Sequence, residues 1–408
     1  MRETAKIKES KPARNRPIEC CGNLATGTSS CPENFVAKEF GKIFILFSLL
    51  GIRTQRLEFL NTKSNKIKGT KIKLSDLINI PKHCMYVLIT LRLFIHFFCL
   101  ICFQERKNEF HRISTTLTGM LLYLSINRRR QQISRMTEYL IQEFRRLPHY
   151  KFKSNSMLMA YYIFATTLTI LSGVLLYFND TNPSERQKIL FLQTNPNSYF
   201  FNLTNFYYIF QIVNFLFYVF LVCLNSLFAV YYILTCTFIR ILFEYLFKKL
   251  SRKHFTDDLK KWFDFYGSLI NYMNKMDEYF SRPAFFTVLT HMFLLFWGGY
   301  RIAFHWSSEY FLYMMSCGIY FLPSHLMFTI SASLANETAH KTKQAVKCLL
   351  CQVPPHEKEI RIKFEKYLIQ ENNLTLWKIY TLDRSFIITS IATLITYGIL
   401  IASLGNAT

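Results

Sequence analysis

The chain has 408 residues, of which 51% are hydrophobic, 17% aromatic and 18% charged. A soluble protein of this length would be close to a quarter charged, and long uncharged runs such as those found here are typical of membrane spans. The formal charge of +23 does not indicate a nucleic-acid-binding protein, because the basic residues lie between the apolar runs, where a multi-pass membrane protein keeps its cytoplasmic loops.

The first 82 residues carry 16 of the 49 Lys and Arg residues and are predicted to form a cytoplasmic N-terminal segment. Their apolar stretch IFILFSLLGI, at 43–52, is too short to cross a bilayer and begins too late to be a cleavable signal peptide. It predicts a short interfacial or re-entrant helix.

Seven later stretches are predicted to cross the lipid bilayer. The fourth contains 35 residues without a charge, which in one helix would extend about 52 Å, more than the hydrocarbon core requires. It therefore forms either two spans or one helix that continues beyond the membrane. The seven stretches are 83–103, 110–127, 157–178, 205–239, 284–305, 309–335 and 385–405.

The distribution of Lys and Arg decides between these alternatives. Of the 49 basic residues, 42 lie in the segments 1–82, 127–153, 240–282 and 341–384, whereas the alternate connections and the tail hold six. This bias is kept only if the fourth run crosses once, with the N-terminus inside and the C-terminus outside. The predicted fold is an all-α membrane protein with seven transmembrane helices, a cytoplasmic N-terminus, an extracellular C-terminus and cytosolic helix extensions.

Two cytosolic stretches, 257–280 and 356–380, alternate charged and apolar residues at helical spacing. Each predicts an amphipathic helix that either lies on the acidic inner leaflet or packs in an intracellular bundle that joins subunits. On the outer side, the predicted loop between the third and fourth spans contains sequons at Asn179 and Asn202, which we expect to be glycosylated.

The sequence contains no catalytic motif, so no enzyme activity is expected. No Asp or Glu lies deep inside a predicted span, which argues against a proton-coupled transporter. Cys348 and Cys351 have CxxC spacing without a second pair nearby, which favours a reduced cytosolic pair over a metal site. We therefore expect no metal and no cofactor.

Aromatic, amide and hydroxyl side chains recur in the outer halves of three spans, and such walls are typical of small-molecule pockets. The aromatic belt of the membrane interface is the alternative explanation, but it does not account for the deeper members of the set. The predicted ligand-binding residues are Gln211, Asn214 and Tyr218 of the fourth span, His291 and Trp297 of the fifth, and Tyr313 and Tyr320 of the sixth.

The last span carries a stripe of hydroxyl groups. Five residues spaced by 4, 3, 4 and 3 positions share an arc of about 80° on a helix; they are Thr389, Thr393, Thr396, Leu400 and Ser403. The stripe predicts either helix packing through small hydroxylated residues or a pore face. A pore face requires several subunits around an axis, because one stripe cannot enclose a channel.

Within this span, Thr396 and Tyr397 are followed by GILIA and then by Ser403 and Leu404. With seven spans and a cytoplasmic N-terminus, this pattern resembles the insect gustatory receptor family of the insect chemoreceptor superfamily. The family signature at this place is Thr-Tyr, five hydrophobic residues and Gln-Phe, so its first half matches and its second half does not. The early LLGIRTQ (49–55) is similar to the family's LGL-x-P region without its proline.

The resemblance implies a ligand-gated cation channel of the plasma membrane that a small-molecule tastant opens. It implies four subunits, identical or mixed, around a pore lined by the last helix, with Tyr397 among the pore-lining residues and Ser403 and Leu404 at the gate. The chain would then divide into a cytoplasmic segment (1–82), a six-span ligand-binding domain (83–340), and an amphipathic helix with the pore-lining span (341–408). Sugar, bitter compound, carbon dioxide and pheromone all remain open as ligands.

Two other functions fit parts of the sequence. A non-conducting partner subunit of a heteromeric chemoreceptor is favoured by the changed gate pair. A G-protein-coupled receptor would also have seven spans, but it needs an extracellular N-terminus, against the charge bias. The sequence also lacks Asp-Arg-Tyr after the third span, Asn-Pro-x-x-Tyr in the seventh, and a cysteine in the loop 179–204.

Overall fold

The computed structural model describes residues 32–52, 83–95, 97, 106–145, 156–179, 203–251, 259–304, 308–351, 358–370 and 372–405. Over these ranges the chain forms ten α-helices and one two-stranded antiparallel hairpin. The helices are α1 (Pro32–Leu49), α2 (His83–Ile95), α3 (Arg106–Arg128), α4 (Arg130–Arg145), α5 (Ser156–Asn179), α6 (Leu203–Leu250), α7 (Leu259–Phe304), α8 (Ser308–Leu350), α9 (Lys358–Ile369) and α10 (Arg384–Gly405), with strands β1 (Thr375–Leu376) and β2 (Tyr380–Thr381) between the last two.

The described part of each predicted span lies in one helix, in chain order α2, α3, α5, α6, α7, α8 and α10. Among the described residues, three windows are long and apolar enough to cross a membrane by composition alone, in α5 (Met157–Val174), α6 (Ile212–Leu250) and α8 (Phe311–Leu350). Helix α2 and the first part of α10 are shorter apolar helices. The predicted all-α architecture is confirmed.

Helix α6 resolves the question of the uncharged fourth run. It is one unbroken helix of 48 residues, about 72 Å long, so the run does not turn back inside the membrane. Its middle is the centre of the core, where Phe228, Tyr231 and Leu234 are completely buried. The helix packs against α1, α5, α7 and α8.

Helices α7 and α8 also extend beyond the predicted spans. From Leu259 onward, the amphipathic stretch and the fifth span form one helix of 46 residues that contains Pro283. Helix α8 has 43 residues and contains Pro323. The predicted cytosolic helix extensions are thus continuous with the spans.

The prediction of one amphipathic helix over 356–380 is wrong in its second half. Helix α9 ends at Ile369, and the chain then forms the hairpin β1–β2. Leu374, Leu376 and Leu382 are buried there, and the backbone finds hydrogen-bond partners on α7 and α8 that compete with a continued helix. Helical periodicity cannot report such tertiary partners.

The apolar stretch 43–52 belongs to a longer helix than predicted. Helix α1 begins at Pro32 and buries Phe40, Phe44 and Phe47. The ring centroid of Phe40 lies 5.4 Å from that of Tyr231 and 5.6 Å from that of Phe238, both in α6. The stretch therefore packs on the helical bundle itself.

Candidate functional site

Tyr218 of α6 and Tyr313 of α8 meet at the outer end of the bundle, with ring centroids 5.7 Å apart. The Tyr218 hydroxyl donates to the Thr169 carbonyl of α5 at 3.3 Å and lies 3.8 Å from Cys317 Sγ of α8. Gly173 of α5 makes room for this ring, because a Cβ at that position would lie 2.9 Å from Tyr218 Cε1. Two of the predicted ligand residues are therefore in direct contact.

Below this pair, hydroxyl groups join α5, α6 and α8 across the core; we call these groups the hydroxyl seam. Tyr320 Oη, the third predicted residue here, lies 2.6 Å from Ser226 Oγ of α6. The other pairs of the seam are Ser172 with Ser316, 2.5 Å between Oγ atoms, Tyr162 with Ser324, 3.0 Å from Oη to Oγ, and Thr166 with Ser226, 2.8 Å from Oγ1 to Oγ. Sequence reasoning missed these partners, although the helical spacing of Tyr313, Ser316, Tyr320 and Ser324 along α8 was a usable signal.

Asn214 lies beside a buried cation. The Arg92 guanidinium of α2 donates to the Asn214 carbonyl at 3.4 Å and lies 4.0 Å above the centre of the Phe217 ring. Arg92 is only 8% exposed. The outer bundle thus holds a positive charge next to the predicted ligand residues of α6.

The structure places His291 and Trp297 differently. His291 of α7 is completely buried, with its ring 5.7 Å from that of Phe321 and 6.3 Å from that of His325. It therefore lies in the layer between α7 and α8 that faces α10. Trp297 is half-buried and stacks on Tyr300 of its own helix, centroids 5.3 Å apart.

Three predicted residues fall outside what the structure describes. Gln211 lies in α6 and Asn179 is the last residue of α5, but neither side chain is among those described. Asn202 is outside the described residues altogether. Their predicted ligand-binding and glycosylation roles stay predictions.

Two surface grooves lie away from the predicted pocket. A groove of about 350 Å³ is lined by Thr90, Leu93, Phe94, Phe97 and Ile113 of α2 and α3. Another, of about 270 Å³, lies beside the start of α10, where its charged lining includes Arg240, Glu244, Lys248 and Lys341. Neither groove is lined by a predicted ligand residue.

The start of helix α10 is held by a helix cap and by an ion pair with α8. The Asp383 carboxylate accepts a hydrogen bond from the Phe386 amide at 2.8 Å, which caps the helix N-terminus. Arg384 pairs with Glu337 of α8 at 2.5 Å. Lys341 and Arg384 hold the pKa of Glu337 below its usual range, since both favour the charged carboxylate.

The predicted pore stripe lies mostly on the free side of α10. Thr389, Thr396, Tyr397, Leu400 and Ser403 are exposed in the single chain, and Thr393 is half-buried; the side chain of Leu404 is not among those described. Three of the hydroxyls donate to carbonyls of their own helix: Thr389 to Ser385, Thr393 to Thr389, and Ser403 to Leu400. The exposed face is wider than predicted, because Ile388, Ile395 and Ile399 are also 58–70% exposed.

The hairpin before α10 is held by two polar side chains that sequence reasoning missed, the buried Asn336 and the half-buried Asp277. Asn336 of α8 donates to the Leu374 and Leu382 carbonyls at 3.1 and 2.8 Å and accepts from the Leu374 amide at 2.8 Å. Asp277 of α7 accepts from the Thr375 amide and hydroxyl at 2.6 and 2.7 Å. Burial nevertheless raises the pKa of Asp277 above its ordinary value.

The tip of the hairpin packs on α7 next to Pro283. The Trp377 amide donates to the Ser281 carbonyl at 3.0 Å. Its ring lies 5.2 Å from that of Phe285 and 5.5 Å from that of Phe286. Helix α10 therefore begins at a segment attached to both α7 and α8.

These features define a multi-pass membrane protein, with hydroxyl pairs inside a mostly apolar helical core and a final helix held at one end. The family model described as 7tm Chemosensory receptor matches residues 80–401. The chain belongs to this chemosensory receptor family.

Solved structures support the same fold. The insect olfactory receptor OR5 from Machilis hrabei in complex with eugenol is 13% identical, with a TM-score of 0.63 over 91% of this chain and 99% of that chain. Another structure of OR5 is 14% identical, with a TM-score of 0.60 over 90% of this chain and 98% of that chain. A comparison with curated proteins found no significant match.

Proposed function

We propose that the chain is a gustatory receptor subunit of a tetrameric, ligand-gated cation channel that a small-molecule tastant opens. The observation that carries the proposal is the unequal burial of α10. Ser390 is 3% exposed against the bundle, whereas Ile388 and Ile395 on the opposite face are 70% and 58% exposed. Tyr397 and Leu400, in the second half of the helix, are 54% and 50% exposed. A helix with a free face of hydroxyl and aliphatic groups needs neighbours beyond its own chain.

Four copies around an axis would place this face on a central pore. Weak polar groups such as threonine hydroxyls let cations pass without holding them, and those of Thr389 and Thr393 are already hydrogen-bonded within the helix. The Thr396–Tyr397 pair supports the gustatory assignment, because it matches the first half of that family's signature.

The tastant would bind between α5, α6 and α8, next to Tyr218 and Tyr313. The two rings offer apolar surface, and their hydroxyls offer hydrogen bonds in a buried setting. This combination suits a small, partly apolar molecule with one or two polar groups.

Relative cation permeability tests the pore assignment. The receptor is expressed in cells and its current recorded by patch clamp with sucrose, caffeine, carbon dioxide and eugenol as probes. Thr396→Val should change the sodium-to-potassium permeability ratio, because it removes a hydroxyl from the pore face. Thr167→Val, at an exposed position of α5, is the matched control and should leave the ratio unchanged. Equal ratios in both variants and the wild type would contradict the pore role of α10.

The activation midpoint tests the ligand site. Tyr218→Phe and Tyr313→Phe keep the rings and remove the hydroxyls, so the midpoint for an active probe should rise at least about threefold for each hydrogen bond lost. Tyr245→Phe, at the inner end of α6, is the matched control. A midpoint that moves only in the control would exclude the proposed site.

A partner subunit without its own conductance is the second candidate. It is supported by Ser403 and Leu404, which stand where the resembled family keeps Gln-Phe. Current that appears only on co-expression with another receptor subunit would favour it, and restoring Ser403→Gln with Leu404→Phe should then give current from this chain alone. Surface labelling of an N-terminal epitope in intact cells would instead contradict the topology on which both candidates depend.

A further inference from the structure

Helix α8 has a break in its backbone hydrogen bonding at Pro323. Proline has no amide hydrogen, so the carbonyl of Ile319, four residues earlier, loses its helical donor. The Tyr161 hydroxyl of α5 donates to that carbonyl at 2.9 Å. A side chain from a neighbouring helix thus replaces the missing bond at this one point of α8.

Helix α8 bonds to α10 through its inner half. On the outer side of Pro323, Ser316 and Tyr320 pair with Ser172 of α5 and Ser226 of α6. On the inner side, Ser324 pairs with Tyr162 of α5, and His325 Nε2 lies 3.1 Å from Ser390 Oγ of α10. A bend at Pro323 would therefore alter the position of the outer half of α8 relative to α10.

Ser390 receives a hydrogen bond from the histidine. The Ser390 hydroxyl donates its one hydrogen to the Ile387 carbonyl at 2.9 Å, so at its other contact it accepts from His325 Nε2. His325 Nδ1 is then the unprotonated nitrogen, an acceptor, and it has no partner among the described residues. Ser390 is the only fully buried side chain of α10 among those described.

A second hydrogen-bond partner for His325 is within reach on α7, namely His291. His291 is completely buried, and both of its ring nitrogens lack a hydrogen-bond partner in the described part of the chain. The two imidazole rings are 6.3 Å apart between centroids. A hydrogen bond between their nitrogens requires about 5 Å, so a shift of about 1 Å would form it. Each arrangement leaves one buried imidazole N–H without a partner, that of His291 in one and that of His325 in the other, so this cost does not favour either arrangement and a bend in α8 can decide between them.

We propose that Pro323 is a hinge that carries ligand binding to the pore helix by moving His325 from Ser390 to His291. The inference rests on the proposed function, since it deepens the account of how the pocket acts on α10. In the arrangement described here, His325 holds Ser390. In the ligand-bound arrangement, His291 donates to His325 Nδ1 and Ser390 is released. His325 and Ser390 are positioning residues and touch neither ligand nor ion.

Currents give the first test. Ser390→Ala removes the partner of the resting arrangement and should lower the activation midpoint at least threefold. His291→Phe removes the alternative partner and should raise it at least threefold. Shifts in the same direction, or no shift in either, would overturn the hinge. Purely structural damage would not produce opposite shifts. His325→Gln keeps a side-chain donor, and it is the substitute variant if Ser390→Ala or His291→Phe prevents folding.

Thermal unfolding of the purified receptor tests the hinge without any current. The probe is whichever of sucrose, caffeine, carbon dioxide and eugenol raises the melting temperature of the wild type most. Double-mutant cycles are then measured with and without this probe. The coupling of His325 with Ser390 should be present without the probe and lost with it, and the coupling of His325 with His291 should show the reverse. A chain that conducts no current but shows this exchange refutes the channel and keeps the hinge. Couplings that no probe changes overturn the hinge, whatever the currents show.

Discussion

Helices α6 and α10 both contain long runs without a charge, yet they occupy opposite environments. Helix α6 is surrounded by other helices, and Phe228, Tyr231 and Leu234 in its middle are completely buried. Helix α10 touches α7 and α8 on one side only, and Ile399 on its free side is 65% exposed. Hydropathy alone does not distinguish them.

Their polar side chains do distinguish them. The Ser226 hydroxyl of α6 pairs with Tyr320 across the core, whereas Thr389 and Thr393 of α10 donate to carbonyls of their own helix. On α10, the buried Ser390 is the hydroxyl that contacts another helix, through His325. The hydroxyls of Thr389 and Thr393, satisfied within the helix, leave this face free to meet something other than its own chain. Four substitutions can break or sharpen this comparison.

The largest effect is expected in the centre of α6. Phe228→Ala removes a completely buried ring and should lower the free energy of unfolding by about 3–5 kcal/mol. Ile395→Ala on α10, where the side chain is 58% exposed, is the control and should cost much less. Chemical unfolding of the purified subunit in detergent measures both. Equal losses would mean that α10 is as enclosed as α6.

The next effect concerns the attachment of α10. Asn336→Ala leaves the Leu374 amide and carbonyl and the Leu382 carbonyl without their side-chain partner, at about 1–3 kcal/mol for each group left unsatisfied. Asn373→Ala, at an exposed position in the same region, is the matched control and should be neutral. The melting temperature reports the difference. A neutral Asn336→Ala would show that the hairpin does not fix the start of α10.

A smaller effect of opposite sign is expected at Asp277. Its pKa is raised in the folded state, so the carboxyl contributes most to stability at low pH, and that contribution is lost as the pH rises through the folded-state pKa. Asp277→Asn keeps an oxygen that accepts from Thr375 and removes the half-buried charge. The variant should therefore melt higher than the wild type at neutral pH, with a gap that narrows on acidification. Asp264→Asn, an exposed change on the same helix, should give no such gap. A variant that melts lower would mean that the ionised carboxylate is what holds the hairpin.

The smallest effect is expected at Glu337. Its lowered pKa means that its contribution is present above the unfolded-state pKa and is lost as the pH falls through the folded-state value. Glu337→Gln should lower the melting temperature slightly in dilute buffer and not at all at high salt, which screens the pairs with Lys341 and Arg384. A loss that persists at high salt would point to hydrogen bonding in place of charge.

The large features of this fold were predictable because they follow from composition along the chain. The charge bias alone required the fourth run to cross once, and α6 is one helix. Tyr218 and Tyr313 were predicted to line one pocket, and their rings are in contact, although a ligand-binding role stays a prediction.

What the sequence could not indicate depends on residues far apart in the chain. Asn336 meets Leu374 and Leu382 only after α8 and the hairpin have packed together. The hairpin itself replaces a predicted helix because those partners outweigh local periodicity. His291 was grouped with the outer aromatics by depth along its span, whereas the structure puts its ring beside His325.

The turn at the tip of the hairpin limits which residues evolution can place at positions 377 and 378. Trp377 and Lys378 both have positive φ, 50° and 58°, a backbone region that disfavours residues with a Cβ. The Trp377 ring is held by Phe285 and Phe286, so an aromatic residue should persist there through evolutionary drift. Lys378 has no such ring contact to preserve. Substitutions at position 378 should therefore be mainly to glycine, asparagine or aspartate, which tolerate positive φ. The residue type at this position would then reflect the backbone conformation even where other side chains have changed.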